Sequence, residues 1–100
     1  MSEIADLDVE ETALEQRLEH ALEKGLSQRQ IQAEIGTERV AGTELVRLIV
    51  VSDQFSQMYR SERQDLLWRI ARENLNADDQ FRISFILALT PDELGEESAA

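Results

Sequence analysis

The sequence predicts a two-layer α+β domain with the element order helix, strand, strand, helix, strand, short helix, written αββαβ(α). Two observations lead to this fold class: helical and β-branched patterns alternate along the chain, and amphipathic helices need a sheet face to cover. A chain of 100 residues, 42% hydrophobic with a single proline, has the size and composition of one small globular domain. We expect that domain over residues 9–94, between disordered acidic ends at 1–8 and 95–100.

The first helix is predicted over residues 9–24. Leu14, Leu18 and Leu22 recur every four residues and form one apolar stripe. Asp8 and Glu11 have the spacing of an N-terminal capping pair, and Gly25 is the expected end of the helix. We expect packing of the leucine stripe to hold this helix on the domain.

A strand is predicted next, over residues 30–35, where apolar and polar side chains alternate. A helical alternative exists because Ser27 and Gln30 fit a capping box, which would begin a helix-turn-helix unit within residues 27–52. Its second helix would contain Gly42 and carry one basic residue, Arg39, at its entrance. That composition is poor for a DNA-reading helix, so the strand is the preferred interpretation.

The run LVRLIVVS, residues 45–52, predicts the central strand, because its β-branched side chains would point to both faces. Residues 82–89, RISFILAL, predict the third strand. Regular alternation would place on one face the side chains of Ile83, Phe85, Leu87 and Leu89.

Between these strands, RSERQDLLWRIAREN predicts a helix over residues 60–74. Ser61 and Gln64 fit a capping box at its start. Helical spacing defines a buried stripe of Leu66, Leu67, Ile70, Ala71 and Leu75.

A short closing helix is predicted after the third strand. Thr90 would cap it, Pro91 would be its first residue and Glu93 would close a capping box. The helix is expected to fray at Gly95.

Charge and composition exclude several function classes. The net charge is −11, but residues 24–90 are neutral overall and the acidity lies in the two ends, which discourages non-specific contact with phosphates. The chain has no cysteine, which rules out disulfides and thiolate metal sites. The start MSEIADLDVEE lacks the pattern of a secretory signal, and the run LVRLIVV is too short to span a bilayer. These features predict a cytoplasmic protein that does not contact membranes.

Two stretches resemble the BolA family. The stretch VVSDQF at residues 50–55, followed by a turn and ERQDLLW at 62–68, resembles the family's "VVS, two residues, F" and "ERHRLVY". The stretch FRISFILALTPDEL at 81–94 resembles its closing "VHALxLxTxTPEEW". The resemblance is specific over residues 45–94. It implies a type II KH-like fold with a three-stranded mixed sheet, in which 45–51 is antiparallel to 30–35 and parallel to 82–89.

The resemblance implies a non-enzymatic protein that pairs with a monothiol glutaredoxin in iron–sulfur cluster handling, or one that regulates transcription by binding DNA. The histidines of the family are replaced here: Arg82 stands at the last-strand position and Gln64 at the helix position. Neither side chain offers an imidazole-like lone pair to iron. We therefore expect no resident cofactor or metal, and an iron–sulfur cluster shared with a partner is in doubt.

The expected function is thus protein–protein contact in a redox or regulatory role, by a monomer or a weak homodimer. The alternative is a weak nucleic-acid-binding regulator, which the equal numbers of arginines and acids in residues 60–82 disfavour. Trp68, at the position of a family tyrosine, is expected to be partly buried and to brace the helix; the alternative is an exposed partner contact. The surface expected to meet a partner or nucleic acid comprises Met58, Tyr59, Arg60, Arg63, Gln64, Trp68 and Arg82.

Residue types for other chemistry are present but scattered. Ser52, Asp53 and His20 are the types that a hydrolytic enzyme uses, yet no spacing brings them together. His20, the single histidine, is expected to be a surface residue of the first helix rather than a metal ligand.

Overall fold

The computed structural model describes the backbone of residues 2–99 and the side chains of residues 13–95. The α+β class predicted from the sequence is confirmed. A 3₁₀ turn over Asp53–Gln57 and a short helix over Ala77–Phe81 were not predicted. In chain order, the helices and strands are α1 (Ser2–Gln28), β1 (Glu34–Arg39), β2 (Val46–Val51), α2 (Arg60–Asn74), α3 (Ala77–Phe81), β3 (Ile83–Leu89) and α4 (Pro91–Ala99).

The three strands form one mixed sheet in the order β1-β2-β3. β1 runs antiparallel to β2, from the pair Glu34 and Val51 to the pair Arg39 and Val46. β2 runs parallel to β3. The long connection through α2 and α3 makes the parallel pairing possible, because parallel neighbours need a crossover. The predicted central position of β2 and both predicted pairing directions are confirmed.

The α1 and α2 helices cover one face of the sheet and bury the core between the two layers. From β2, the side chains of Val46, Leu48 and Val50 are fully buried on this face. The 3₁₀ turn adds Phe55, also fully buried. The helices contribute Leu14, Leu18, Leu22, Leu26, Leu67, Ile70 and Ala71.

The α1 helix is longer at both ends than the predicted 9–24, and its backbone includes residues 2–8. The expected stop at Gly25 is wrong, because that residue lies inside the helix where α1 crosses α2. A Cβ at Gly25 would lie 2.3 Å from Cγ2 of Ile70. The chain turns instead at Gln30, which has φ 59°, and the Ile31 N–H donates to the Leu26 carbonyl. The predicted capping pair of Asp8 and Glu11 lies outside the described side chains.

The first strand begins at Glu34, four residues later than predicted. Side chains bind the backbone of the preceding segment: the Gln32 N–H donates to the Gln54 side chain, and the Ser52 hydroxyl donates to the Gln32 carbonyl, at 2.6 Å. Because the N–H and the carbonyl of Gln32 are already bonded to these side chains, Gln32 forms no hydrogen bond with a neighbouring strand. Residues 34–39 pair with β2, so the helix-turn-helix alternative is also wrong.

The predicted faces of β3 are wrong because an irregularity interrupts its register. Val46 pairs with Ile83, but the next residue of β2, Arg47, pairs with Phe85. The extra residue, Ser84, reverses the alternation beyond it. Ile86 and Ala88 therefore face the core, and Phe85 lies on the opposite face with an exposure of 44%.

The predicted bounds of α2 are confirmed, but its predicted capping box is not. Ser61 lies within the helix, and Tyr59 is the N-cap residue. The Glu62 carboxylate accepts a hydrogen bond from the Tyr59 N–H at 2.8 Å. Helices often begin this way, with an acidic group paired to the first free backbone donors.

Within the part of the chain that the structure describes, no helix is long and apolar enough to cross a membrane.

Candidate partner-binding surface

The residues predicted to form one partner surface lie at two ends of the sheet. Residues 58–68 surround the start of α2, where Arg63 reaches the Ala88 carbonyl at the carboxyl end of β3. Arg82 lies just before the amino end of the same strand. Six residues of extended chain separate Arg82 from Ala88, a distance of about 20 Å. Arg82 therefore lies at the opposite end of β3 from the residues around the start of α2.

Arg63 is an internal residue, 4% exposed, and not part of the surface as predicted. Its Nε donates to the Met58 carbonyl at 3.3 Å. Its Nη1 donates to the Ala88 carbonyl at 3.2 Å and to the Glu93 carboxylate at 2.7 Å. The guanidinium also lies 5.8 Å from the centre of the Phe55 ring. Arg63 thus ties α2, β3 and α4 together and is not available to a phosphate.

Gln64 has a related structural role. Its side-chain amide donates to the Ile86 carbonyl at 2.7 Å. The carbonyls of Ile86 and Ala88 point away from β2, because alternate residues of a strand bond on the same side. Gln64 and Arg63 therefore cover the free edge of β3, which would otherwise offer a template for another strand.

The capping box predicted at the start of α4 is confirmed. The Thr90 N–H donates to the Glu93 carboxylate at 2.8 Å, and the Glu93 N–H donates to the Thr90 hydroxyl at 3.3 Å. The hydrogen bond from Thr90, together with the one from Arg63, lowers the pKa of Glu93 from 4.5 to about 2. Glu93 is thus ionised at neutral pH and fixes the start of α4 against α2.

The large side chains of the surface predicted around α2 differ in exposure. Tyr59 is 80% exposed. Trp68 and Met58 are partly buried and pack against the core. Trp68 therefore braces the helix, as expected from its amphipathic ring. The side chain of Arg60 is 76% exposed and lies 3.4 Å from Glu93.

A second group of exposed side chains lies at the amino ends of β2 and β3, and no sequence pattern had marked it as a site. Phe81 is 82% exposed, Phe85 44% and Leu45 36%. The backbone hydrogen bond from Val46 to Arg82, at 2.7 Å, brings the two strand ends together. We call Leu45, Phe81 and Phe85 the amino-end patch. Phe85 belongs to the predicted third strand, residues 82–89, and Phe81 directly precedes that strand. The irregularity at Ser84 that turns Phe85 outward has no local signal.

Charged side chains border the amino-end patch. Arg82 lies 3.4 Å from Glu44, in the loop between β1 and β2. Arg47 forms an ion pair with Glu38, and its guanidinium lies 5.6 Å from the centre of the Phe85 ring. A guanidinium stays protonated and offers no lone pair to a metal ion.

The remaining predicted site residues are not assembled into a centre. Ser52 is buried, and its hydroxyl is bonded to the Gln32 carbonyl. His20 lines a groove between α1 and the end of α2, with Arg17 and Asp79. The Arg17 guanidinium binds both carboxylate oxygens of Asp79, which lowers the pKa of Asp79. Among residues 13–95, no group of three or more His, Asp or Glu side chains is placed to hold a metal ion.

Comparison of the chain with protein-family models, with curated proteins and with solved structures found no match.

Proposed function

We propose that the chain is a non-enzymatic, BolA-like cytoplasmic protein that acts through contacts with other proteins, as a monomer or a weak homodimer. The expected partner is a monothiol glutaredoxin-like protein in an iron–sulfur, redox or regulatory role. Two features support the proposal: the sequence resemblance over residues 45–94, and a fold with the element order and strand pairing that this resemblance implies.

The observation that carries the proposal is the amino-end patch of Leu45, Phe81 and Phe85. Large exposed aromatic side chains with a neighbouring arginine are typical of residues that dominate the energy of protein interfaces. The patch lies beside Arg82 and the β1–β2 loop, where the resemblance places contact with a glutaredoxin-bound cluster. We therefore assign partner docking to this end of the sheet.

The chain itself is proposed to supply no ligand to a cluster. Arg82 replaces the histidine and is paired with Glu44, and arginine does not offer a lone pair to iron. A cluster held by a partner would thus meet a charged and aromatic surface here. Binding would then depend on apolar contact rather than on coordination.

Titration of the chain into a holo monothiol glutaredoxin, followed by visible circular dichroism and by an affinity measurement, tests the proposal. We expect a complex whose cluster spectrum changes little, because no new ligand enters. Phe81→Ser should weaken the complex at least tenfold, the size of a typical interface anchor. Tyr59→Ser removes an equally exposed aromatic ring at the other end of the domain, so a loss of affinity in that variant instead of in Phe81→Ser would place docking on the surface predicted around α2. Absence of a complex contradicts the glutaredoxin assignment.

The alternative, a weak nucleic-acid-binding regulator, has less support from the arginines of residues 60–82. Arg63 is buried, and Arg60 and Arg82 lie beside carboxylates. Phosphate binding requires several free cations on one face. An electrophoretic shift assay with duplex DNA tests it: binding that survives moderate salt and is lost in Arg60→Ala would favour the DNA-binding role.

A further inference from the structure

A shallow cleft opens at the carboxyl end of β2, at the opposite end of that strand from the amino-end patch. It lies between α4 and the segment that leads into β1, and it has a volume of about 430 Å³. Its apolar lining comes from Ala33, Val51, Pro91 and Leu94. The Leu94 side chain is 36% exposed, so this lining is open to solvent.

The walls of the cleft are held in place before any ligand arrives. On one side, the Ser52 hydroxyl and the Gln54 side chain bind the backbone of Gln32. On the other side, the capping box of Thr90 and Glu93 fixes the first turn of α4. A site formed in advance avoids the entropy cost of ordering its walls on binding.

The charge at the cleft has one sign. Glu34 and Asp53 are exposed and line it, and among the described side chains the lining contains no Lys, Arg or His. The groove that His20 lines differs, because it includes Arg17 and Lys24. Carboxylates beside an apolar surface favour a ligand that carries a positive charge next to an apolar side chain.

The same charges disfavour two other occupants. A second copy of the chain carries a net charge of −11, and Asp92 and Glu93, between the lining residues Pro91 and Leu94, are themselves acidic. The acidic start of the chain would also be repelled by Glu34 and Asp53. A volume of about 430 Å³ suits a few side chains of a short segment rather than a folded surface.

We propose that this cleft binds a short segment of a partner protein in which leucine-like side chains alternate with arginine or lysine. The inference rests on the proposed function only in taking the chain to act through protein contacts. It adds a second contact site, about the length of a strand away from the amino-end patch.

The test uses the full-length, ¹⁵N-labelled chain and blocked synthetic pentapeptides, with binding followed by amide chemical shifts. The probes are acetyl-Leu-Arg-Leu-Arg-Leu-amide, its glutamate counterpart and a counterpart with serine in place of leucine. We expect only the first to bind, with shifts at Ala33, Glu34, Val51 and Leu94. Equal binding of the glutamate peptide, or shifts confined to another part of the chain, overturns the proposal.

Charge variants separate this site from general attraction to an acidic protein. Glu34→Gln and Asp53→Asn should each weaken peptide binding roughly two- to fivefold at low salt, the range for exposed ion pairs. Asp65→Asn, on the exposed side of α2, makes the same change in net charge and should leave binding unchanged. If Asp65→Asn weakens peptide binding as much as the two cleft variants do, the assignment is contradicted. Chemical shifts at the cleft that change with protein concentration also contradict it, because they indicate that a second copy of the chain binds there.

The cleft and the proposed function can fail separately. If a monothiol glutaredoxin binds the chain but the pentapeptide does not, the cleft proposal is wrong and the proposed function stands. If the pentapeptide binds at the cleft but no glutaredoxin complex forms, the glutaredoxin assignment is wrong and the cleft proposal stands.

Discussion

Replacement of Gly25 by alanine should destabilise the domain, although alanine is the better helix former. A Cβ at this position would lie 2.3 Å from Cγ2 and 2.8 Å from Cγ1 of Ile70. Ordinary contacts between carbon atoms are about 3.5–4.0 Å. The two helices must therefore move apart by roughly 1 Å, or Ile70 must leave its position in the core.

The magnitude follows from two opposing effects. Overpacking a well-filled core costs about 1–3 kcal/mol and occasionally more, while a glycine-to-alanine change inside a helix returns up to about 1 kcal/mol. Because the contact at Gly25 is so short, we expect a net loss of about 2 kcal/mol. In a domain of this size that loss lowers Tm by roughly 8–16 °C.

Urea unfolding followed by circular dichroism measures this loss, and three further variants identify its cause. Gly95→Ala, where none of the described atoms lies within 4 Å of the added Cβ, should be neutral or slightly stabilising. In an Ile70→Ala background the two closest atoms are absent and only the Cβ of residue 70, at 3.0 Å, remains, so Gly25→Ala should cost much less than in the parent. In an Ile70→Val background both atoms remain and the loss should persist. A Gly25→Ala chain as stable as the parent would refute the close helix contact.

Three other predictions concern the contacts of α2 with β3 and α4. Arg63→Ala should reduce the free energy of unfolding by about 3 kcal/mol, because it removes the donor to the Met58 and Ala88 carbonyls and the shorter of the two ion pairs of Glu93, whereas Arg69→Ala, on an exposed part of the same helix, should change it by less than about 0.5 kcal/mol; similar losses in urea unfolding would argue against the internal role of Arg63. Gln64→Leu uncovers the Ile86 carbonyl at the edge of β3 and should raise self-association in light scattering at high concentration, and a variant as monomeric as the parent would show that the edge is protected by other means. The pKa of Glu93 is about 2 in the folded chain against an ordinary 4.5, so the unfolded chain takes up this proton first as the pH falls. The stabilisation by Glu93 is therefore full above about pH 4.5 and is lost towards pH 2. Glu93→Gln should accordingly be less stable at neutral pH and show a shallower loss between pH 5 and 2, and an acid-unfolding curve of unchanged slope would contradict the assigned pKa.

The surface predicted from the sequence and the surfaces found in the structure overlap only in part. Tyr59 and Arg60 are exposed as expected, but Arg63 is internal. The polar residue types that suggest recognition in a sequence are also those that satisfy backbone groups inside a fold. Only the position of the Ala88 and Ile86 carbonyls shows that Arg63 and Gln64 bond to the backbone of β3 instead of facing a partner.

Phe81 and Phe85 are the converse case, because nothing in the sequence predicts that they are exposed. Large apolar residues in a sequence are normally assigned to the core, since most of them are buried there. Phe81 ends a five-residue helix that was not predicted, and Phe85 follows the irregularity in β3. Both therefore reach solvent. The end of the short helix and the strand register, not a local sequence pattern, place them in the amino-end patch.

The sequence by itself determined the elements whose pattern is local and strong. Periodic apolar residues defined α2 with its bounds, the β-branched run defined β2, and the Thr90 and Glu93 pair defined the start of α4. Each of these signals acts between residues a few positions apart, so no distant partner is needed to read it.

Tertiary structure decided where the chain departs from its local preference. Gly25 lies inside α1 and does not end it, because the approach of Ile70 leaves no room there for a side chain. The first strand, β1, starts late because Gln54 and Ser52, distant in the sequence, bind the backbone of Gln32. Ser84 reverses the faces of β3 only when the strand pairs with β2. In every case the controlling group lies at least twenty residues away in the chain, and a packed interior or a shared hydrogen bond outweighs local propensities of about 1 kcal/mol or less.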